Sequence, residues 1–380
     1  MSRINEILEQ LDHISQNPKE QLDKFIEEGK KVIGVFPYYV PEELVVACGM
    51  VPMGVWGGAK EINKAKEYFA SYYCTIAQMN LELGLNGTLD RLSGVIVTTM
   101  CDTLRPLSQN FRVGVPQIPF IYLAHPQNRK KEFGIKYSEQ VFTRVLNELE
   151  EISGKKATEE DLLKAFEIYN ANRQEKRRFS KLAALHPEVI SATLRSAVFK
   201  SSYFMEKEEH TALLKELNNE LEKLEVVEWT GTKVMTSGIL CDSRKLLKIF
   251  DDNKVAIVAD DVAHESRTIK VDIDMEIAKK NPMEGLATWF ANCDDDVLLY
   301  DPTIYSRPRN VAKLAKESGA DGAVIVMMQF CDPEEVEYPH LKEALDNESI
   351  PSIKLGYDQQ MVDFGQAETQ IQAFTDVMSL

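Results

Sequence analysis

Two α/β domains built on parallel sheets, with a helical segment between them and an N-terminal helix in front, are what the 380 residues predict. Three observations carry this expectation. Short β-branched apolar runs alternate with helical patterns in the first third of the chain, as in a parallel sheet covered by helices. That alternation stops between residues 138 and 225, where charge is dense and glycine is scarce. It then resumes and continues to the C-terminus.

Taken in order, residues 1–30 set Ile4, Ile7, Leu8 and Leu11 at helical spacing and read as helix. Lys31 to Pro37 reads as a buried strand closed by proline. Gly94 to Thr99 and Ile118 to Leu123 are further strands, and together these make a first domain over 31–130. The segment 131–227 is helical. Thr158 stands three residues before Asp161 as a capping box, and Leu214, Leu217, Leu221 and Leu224 form one core-facing stripe, too short for a coiled coil. Thr232 to Gly238, Val255 to Ala259, Ala323 to Met328 and Pro351 to Leu355 are the strands of a second domain over 228–380. Both domains are therefore expected to be Rossmann-like (flavodoxin-like) parallel sheets. A weak internal echo relates them: Gly94 through Cys101-Asp102 resembles Gly322 through Cys331-Asp332, each a glycine, an apolar strand and then Cys-Asp.

Composition narrows the function. The net charge of −16 argues against a nucleic-acid or anionic-membrane partner, since either needs a basic face. The first residues, from Met1, carry acid at once and no apolar core of a secretory signal. The longest apolar run, Leu44 to Ala59, is too short to span a bilayer and is broken by four glycines and a proline. A cytoplasmic protein is expected. In that compartment six cysteines exist to pack, to react or to bind metal, not to form disulfides.

Open parallel sheets bind ligands at the carboxyl ends of their strands. Cys101 and Cys331 fall at such ends, with Asp102 and Asp332 placed to cap the following helices. A helix N-terminus lowers a thiol's pKa and favours the metal-binding thiolate. Cys74 lies on a helical stretch of the first domain. These three thiols can converge on an iron–sulfur cluster between the domains. By spacing alone, three unrelated cysteines are the commoner explanation, because no C-x-x-C pair advertises a site. Cys48 reads as core, Cys241 as a thiol able to approach the same cleft, and Cys293, beside Asp294-Asp295-Asp296, as incidental in a solvated loop. His125 follows a strand as an acid/base candidate or a turn histidine. Asp260-Asp261 reads as a possible helix N-terminus, with His264-Glu265 close behind. Arg105 can meet a cluster sulfide, a carboxylate or a surface ion pair. There is no G-x-G-x-x-G, P-loop, H-E-x-x-H or G-x-S-x-G.

Longer stretches are familiar: Pro37-Tyr38-Tyr39-Val40-Pro41-Glu42-Glu43-Leu44, Gly49 through Gly57, Tyr73 through Gln78, Cys101 through Phe111, Ala124-His125-Pro126-Gln127, Gln329 through Glu335, and Asp363 through Ala367. On these the chain resembles the 2-hydroxyacyl-CoA dehydratase and benzoyl-CoA reductase family, and in particular its β subunits, from about residue 30 to the C-terminus. The resemblance implies one [4Fe–4S] cluster per subunit, held by three cysteines, with the fourth iron bound by something else. Cys74, Cys101 and Cys331 match the three motif positions; Cys48, Cys241 and Cys293 do not.

The resemblance also implies the chemistry. One electron added to a 2-hydroxyacyl thioester gives a ketyl radical that expels the neighbouring hydroxyl, and the electron is recycled after loss of a β-proton. That electron must come from the low end of the roughly −700 to +450 mV span of Fe–S sites. An ATP-hydrolysing Fe–S activator would supply it, and an α subunit would bind the thioester. This chain would relay the electron, as a lyase component in the cytoplasm of an anaerobic, amino-acid-fermenting bacterium. No acid/base residue is assigned here, and a flavin in the complex is not readable. A benzoyl-CoA-type or other low-potential Fe–S reductase subunit is the alternative, and a zinc-binding interaction subunit stands further off.

Overall fold

The computed structural model describes residues 2–36, 38–56, 58, 61–294, 296–299 and 306–378. Met1, Pro37, Gly57, Ala59 and Asp295, named above, lie outside the described residues. The expected N-terminal helix is two helices, α1 (Arg3–Gln16) and α2 (Pro18–Glu27). Proline is favourable in a first helical turn and unfavourable inside a helix, so Asn17-Pro18 divides them.

The first half runs β1 (Val32–Phe36), α3 (Glu42–Ala47), β2 (Val51–Gly54), α4 (Thr75–Leu85), β3 (Gly94–Thr98), α5 (Leu104–Gly114) and β4 (Phe120–Leu123). Its four strands are all parallel in the order β2-β1-β3-β4. The run Leu44 to Ala59, expected only as apolar, is divided at Gly49, whose φ of 73° ends α3 and lets β2 begin. Every residue of β1 and β3 is buried, as in a sheet covered on both faces.

The helical stretch holds α6 (Glu132–Ser153), α7 (Glu159–Leu185), α8 (Ala192–Ser201) and α9 (Lys207–Leu221). The Thr158–Asp161 capping box is present in both directions. Leu214, Leu217 and Leu221 are fully buried, and Leu224 packs against the same core. These helices touch both sheets' surroundings: α7 packs on α3 and on the second half's β6, defined below.

The second half comprises β5 (Thr232–Gly238), α10 (Arg244–Asp252), β6 (Val255–Val262), α11 (Met275–Ala278), α12 (Pro282–Asn292), α13 (Ser306–Glu317), β7 (Gly322–Met328), α14 (Asp332–Asn347), β8 (Ser352–Tyr357) and α15 (Gly365–Met378). Its strands are again parallel, in the order β6-β5-β7-β8. The two sheets thus share one topology, and β3 and β7 are the corresponding strands. The Gly…Cys-Asp echo in the sequence falls on this equivalent pair. β6 runs three residues further than expected, so Asp260 and Asp261 are strand residues and not a helix N-terminus. Among the described residues no helix is long and apolar enough to cross a membrane.

Candidate metal centre

In each sheet the strand order reverses between the first and third strands, and ligands of open parallel sheets sit at the carboxyl ends beside that reversal. β3 leads there to Cys101 and β7 to Cys331. Cys74 comes from another direction, as the N-cap of α4 with φ −60° and ψ 144°. Its Sγ makes no capping hydrogen bond, but the nearby backbone N–H groups of Ala77 and Ile76 act to lower its pKa. The N–H groups of Leu104 and Thr103 act likewise on Cys101, and that of Glu334 on Cys331, which also makes no capping hydrogen bond.

Cys331 is itself the N-cap of α14. The preceding Phe330 has a φ of 61°, costly for a bulky residue. The turn is held by the Glu335 carboxylate, which accepts the Phe330 N–H at 3.0 Å, and by the Cys331 N–H donating to the Met328 carbonyl at 3.1 Å. Asp102 and Asp332 do not cap their helices. Thr103 takes the N-cap position of α5, Cys331 that of α14, and Asp332 is already the first helical residue.

Three contacts join the halves at this place. The Thr75 hydroxyl donates to the Met328 Sδ at 3.6 Å, the Gln359 N–H donates to the Thr75 hydroxyl at 3.3 Å, and the Gln359 amide donates to the Trp56 carbonyl at 3.0 Å. With the halves so locked, the three thiols act on one another. Cys101 raises the pKa of Cys74, and Cys74 and Cys101 both raise that of Cys331.

Burial is the largest cause in each case. It pushes Cys74 up to about 12, raises Cys101 and lifts Cys331 well above an ordinary thiol, and the backbone donors oppose it without prevailing. This corrects the expectation of lowered thiol pKa values. A helix end supplies about 0.3–1 kcal/mol, less than the cost of desolvating a thiolate among like charges. A bound metal centre would carry the positive charge that reverses this balance.

The other cysteines are fully buried, whereas these three are partly exposed. Cys48 is core, as expected. Cys293 is not in a solvated loop: it caps the C-terminus of α12 and donates to the Trp289 carbonyl at 3.4 Å. Cys241 lies against Glu265 and Asp242, which with burial lift its pKa well above the usual value. His125 stacks on Phe290 at 4.2 Å between centroids, and burial pushes its pKa down to about 3. Arg105 is exposed on the first turn of α5.

Sequence reasoning missed the ionic core behind Cys331. Asp261 accepts hydrogen bonds from Arg267 at 3.0 Å and Arg307 at 2.6 Å, and Arg267 faces Glu334 at 3.7 Å and Asp296 at 3.9 Å. The doublet Asp260-Asp261 was the visible signal; Arg267 follows Asp261 by six residues, but Arg307 and Arg195 lie 46 and 65 positions from the acids they meet.

Among the described residues no three His, Cys, Asp or Glu side chains close around one point as ligands of a single ion do. The three thiols are instead separate soft donors within electrostatic reach of one another, each braced by its own helix end. That donor set fits a group which offers each thiolate its own iron.

A sequence model of the family described as 2-hydroxyglutaryl-CoA dehydratase, D-component, matches residues 37–378. The chain is 48% identical over 377 residues to the β subunit of (R)-2-hydroxyglutaryl-CoA dehydratase of Acidaminococcus fermentans, covering 98% of this chain and 99% of that one. It is 42% identical to the (R)-phenyllactyl-CoA dehydratase β subunit of Clostridium sporogenes and 40% identical to the lactoyl-CoA dehydratase β subunit of Anaerotignum propionicum, each over the full length of both chains. With the matched segment taking in three strands of the first sheet, the whole second sheet and all three partly exposed thiols, the chain belongs to the 2-hydroxyglutaryl-CoA dehydratase D-component family.

Proposed function

We propose that the chain is the β subunit of a 2-hydroxyacyl-CoA dehydratase, that Cys74, Cys101 and Cys331 hold one [4Fe–4S] cluster, and that its role is to pass a low-potential electron to a partner α subunit where the thioester is dehydrated. The observation that supports this reading is the approach of three helix-end thiols from two halves, each raised in pKa by burial, Cys74 also by Cys101, and Cys331 also by Cys74 and Cys101. When bound, the cluster supplies a one-electron carrier. The chain's own contribution is to fix three thiolates with backbone N–H donors and to set the local charge. Those donors favour the more negative, reduced state, whereas Asp102, Asp332 and Glu334 oppose it.

The relatives act on hydroxyglutaryl, phenyllactyl and lactoyl thioesters. Such different acyl groups among similar β subunits support an acyl pocket that lies mainly on the partner. (R)-2-Hydroxyglutaryl-CoA to glutaconyl-CoA is the first conversion to assay, with an ATP-hydrolysing Fe–S activator as the electron source.

Anoxic purification with the partner subunit and reconstitution should give a brown chain with about four irons. Cys74→Ala, Cys101→Ala and Cys331→Ala should each lose that absorbance while remaining folded. A colourless, folded wild-type chain after reconstitution would sink the reading. Electron demand separates dehydration from reduction: a dehydratase needs electrons in catalytic amount, a benzoyl-CoA-type reductase in proportion to product.

A further inference from the structure

Away from the thiols, a cavity of about 60 Å³ lies where the loop after β1, helix α3, helix α7 and the segment before α11 meet. It is walled by tyrosines and by five charged side chains: Glu42, Glu43, Arg173, Lys176 and Lys207. Four of the five are matched within the wall. Arg173 pairs with Glu43 and donates to the Asn170 side chain at 3.1 Å. Lys207 donates to the Ser202 carbonyl at 2.5 Å and pairs with Glu42 at 3.1 Å, and Glu42 also accepts the Tyr169 hydroxyl at 2.9 Å.

Lys176 is the remainder. It is only 5% exposed, and its ammonium has an aromatic neighbour, the Tyr203 ring at 5.3 Å, but among the described residues no carboxylate or carbonyl accepting from it. Three cations against two carboxylates leave the wall with one positive charge in surplus. The Tyr169 and Tyr203 hydroxyls are already donating, to Glu42 and to the His264 carbonyl, so neither competes for an acceptor of Lys176.

A buried ammonium without an acceptor is costly, and an anion beside it in a low-dielectric cavity recovers much of that cost. By a measure in which one water needs about 10–15 Å³, the cavity has room for a few waters. That space suits a halide or a one-carbon oxyanion. We propose that this cavity is a binding site for one small monovalent anion, held by Lys176 and flanked by the aromatic walls, which ties α7 of the helical stretch to both halves of the chain. Burial and the neighbouring Lys207 hold the Lys176 pKa well below the ordinary lysine value, so the surplus positive charge exists only with Lys176 protonated, the form that an anion in the cavity would favour. The site is independent of the thiol centre and of the function proposed for it.

The test uses the full-length chain and bromide as the probe. Crystals soaked in sodium bromide should show an anomalous peak within hydrogen-bonding distance of Lys176 Nζ. In solution, bromide or formate should raise the melting temperature saturably, by roughly 2 °C or more. Gluconate, too large for the cavity, holds the ionic strength constant. Lys176→Met should abolish the saturable rise. A wild-type cavity without a bromide peak, or a Lys176→Met chain that responds as the wild type does, overturns the proposal. The crystal arm uses wild-type protein, so it decides the matter even if the variant folds poorly.

Discussion

Arg195 stands between two carboxylates, Asp260 and Glu265, and all three side chains are withdrawn from water. Burial pushes Glu265 up to about 7 despite the pull of Arg195, and the facing Asp260 adds to the rise. Removing the arginine leaves two acids buried with no cation between them. Arg195→Met is therefore expected to cost about 3–5 kcal/mol, read as a lowered urea midpoint with an unchanged slope. A loss under about 1 kcal/mol would mean that the acids are solvated or paired elsewhere. At this scale the sequence showed residues better than their states. Cys74, Cys101 and Cys331 stood out through their motifs, but the direction of their pKa shift came out opposite to the helix-end argument. Helix ends are visible in a sequence, whereas the packing that desolvates a thiol depends on residues hundreds of positions away. Cys293 was misplaced for the same reason: three aspartates beside it signal solvent, yet the end of α12 turns its thiol inward.

Elements were more legible, because their signals are local. The capping box that starts α7 was read from four residues, and all its hydrogen bonds form. Thr158→Ala should lower stability by about 1 kcal/mol, measured as a shift in the unfolding midpoint at pH 7. Asp161 shares that cap, and hydrogen bonds from the Thr158 backbone, Lys155 and the Thr158 hydroxyl hold its pKa down at about 2 against an ordinary 3.8. A depressed carboxylate stabilises the fold above its ordinary pKa, and that contribution is lost as the pH falls through its folded value. The stability difference between wild type and Asp161→Asn should thus be full at neutral pH and shrink from about pH 4 toward pH 2. A difference that stays constant over that range would show that the carboxylate charge is not what stabilises the helix. The elements that escaped are those whose signals overlap. β2 hid inside one apolar run, since α3 and β2 share composition and only Gly49 separates them. The extra length of β6 was masked by Asp260 and Asp261, acids that a strand tolerates only when distant arginines meet them. Close packing between strands is equally invisible from local pattern: a Cβ added to Gly238 would meet the Val326 carbonyl oxygen at 2.4 Å. Gly238→Ala must push β5 from β7 and should cost about 1–3 kcal/mol, read as a lowered urea midpoint with an unchanged slope.

Across the whole molecule, one strand order is used twice, and the same strand in each sheet delivers a cysteine to the join between halves. The cofactor proposed above, shared by two halves, would explain why the thiols are 27 and 230 residues apart in sequence and yet affect one another's charge. The alternation of strands and helices made the two sheets readable; their mutual placement was not, because it rests on single contacts such as Gln359 to Thr75 and Trp56. Under the proposed relay, the same arrangement would set where the electron leaves. Around the thiols the chain keeps large apolar side chains in water: Tyr72, 65% exposed, two residues before Cys74; Phe330, 43% exposed, next to Cys331; and Val336, 75% exposed, one turn along α14. Exposed apolar groups scattered singly need no explanation, but three beside two half-buried thiols are what a covering partner subunit would bury. Phe330 is the best anchor of the three, because the Glu335 hydrogen bond fixes its backbone. Phe330→Glu is expected to weaken association with the partner subunit at least about tenfold, about 1.4 kcal/mol, in sedimentation or titration experiments. The brown absorbance of the reconstituted chain should stay the same, since no cluster ligand is changed. Unaltered affinity would place the partner on another face, and lost absorbance with lost affinity would show that Phe330 shapes the thiol turn and not the interface.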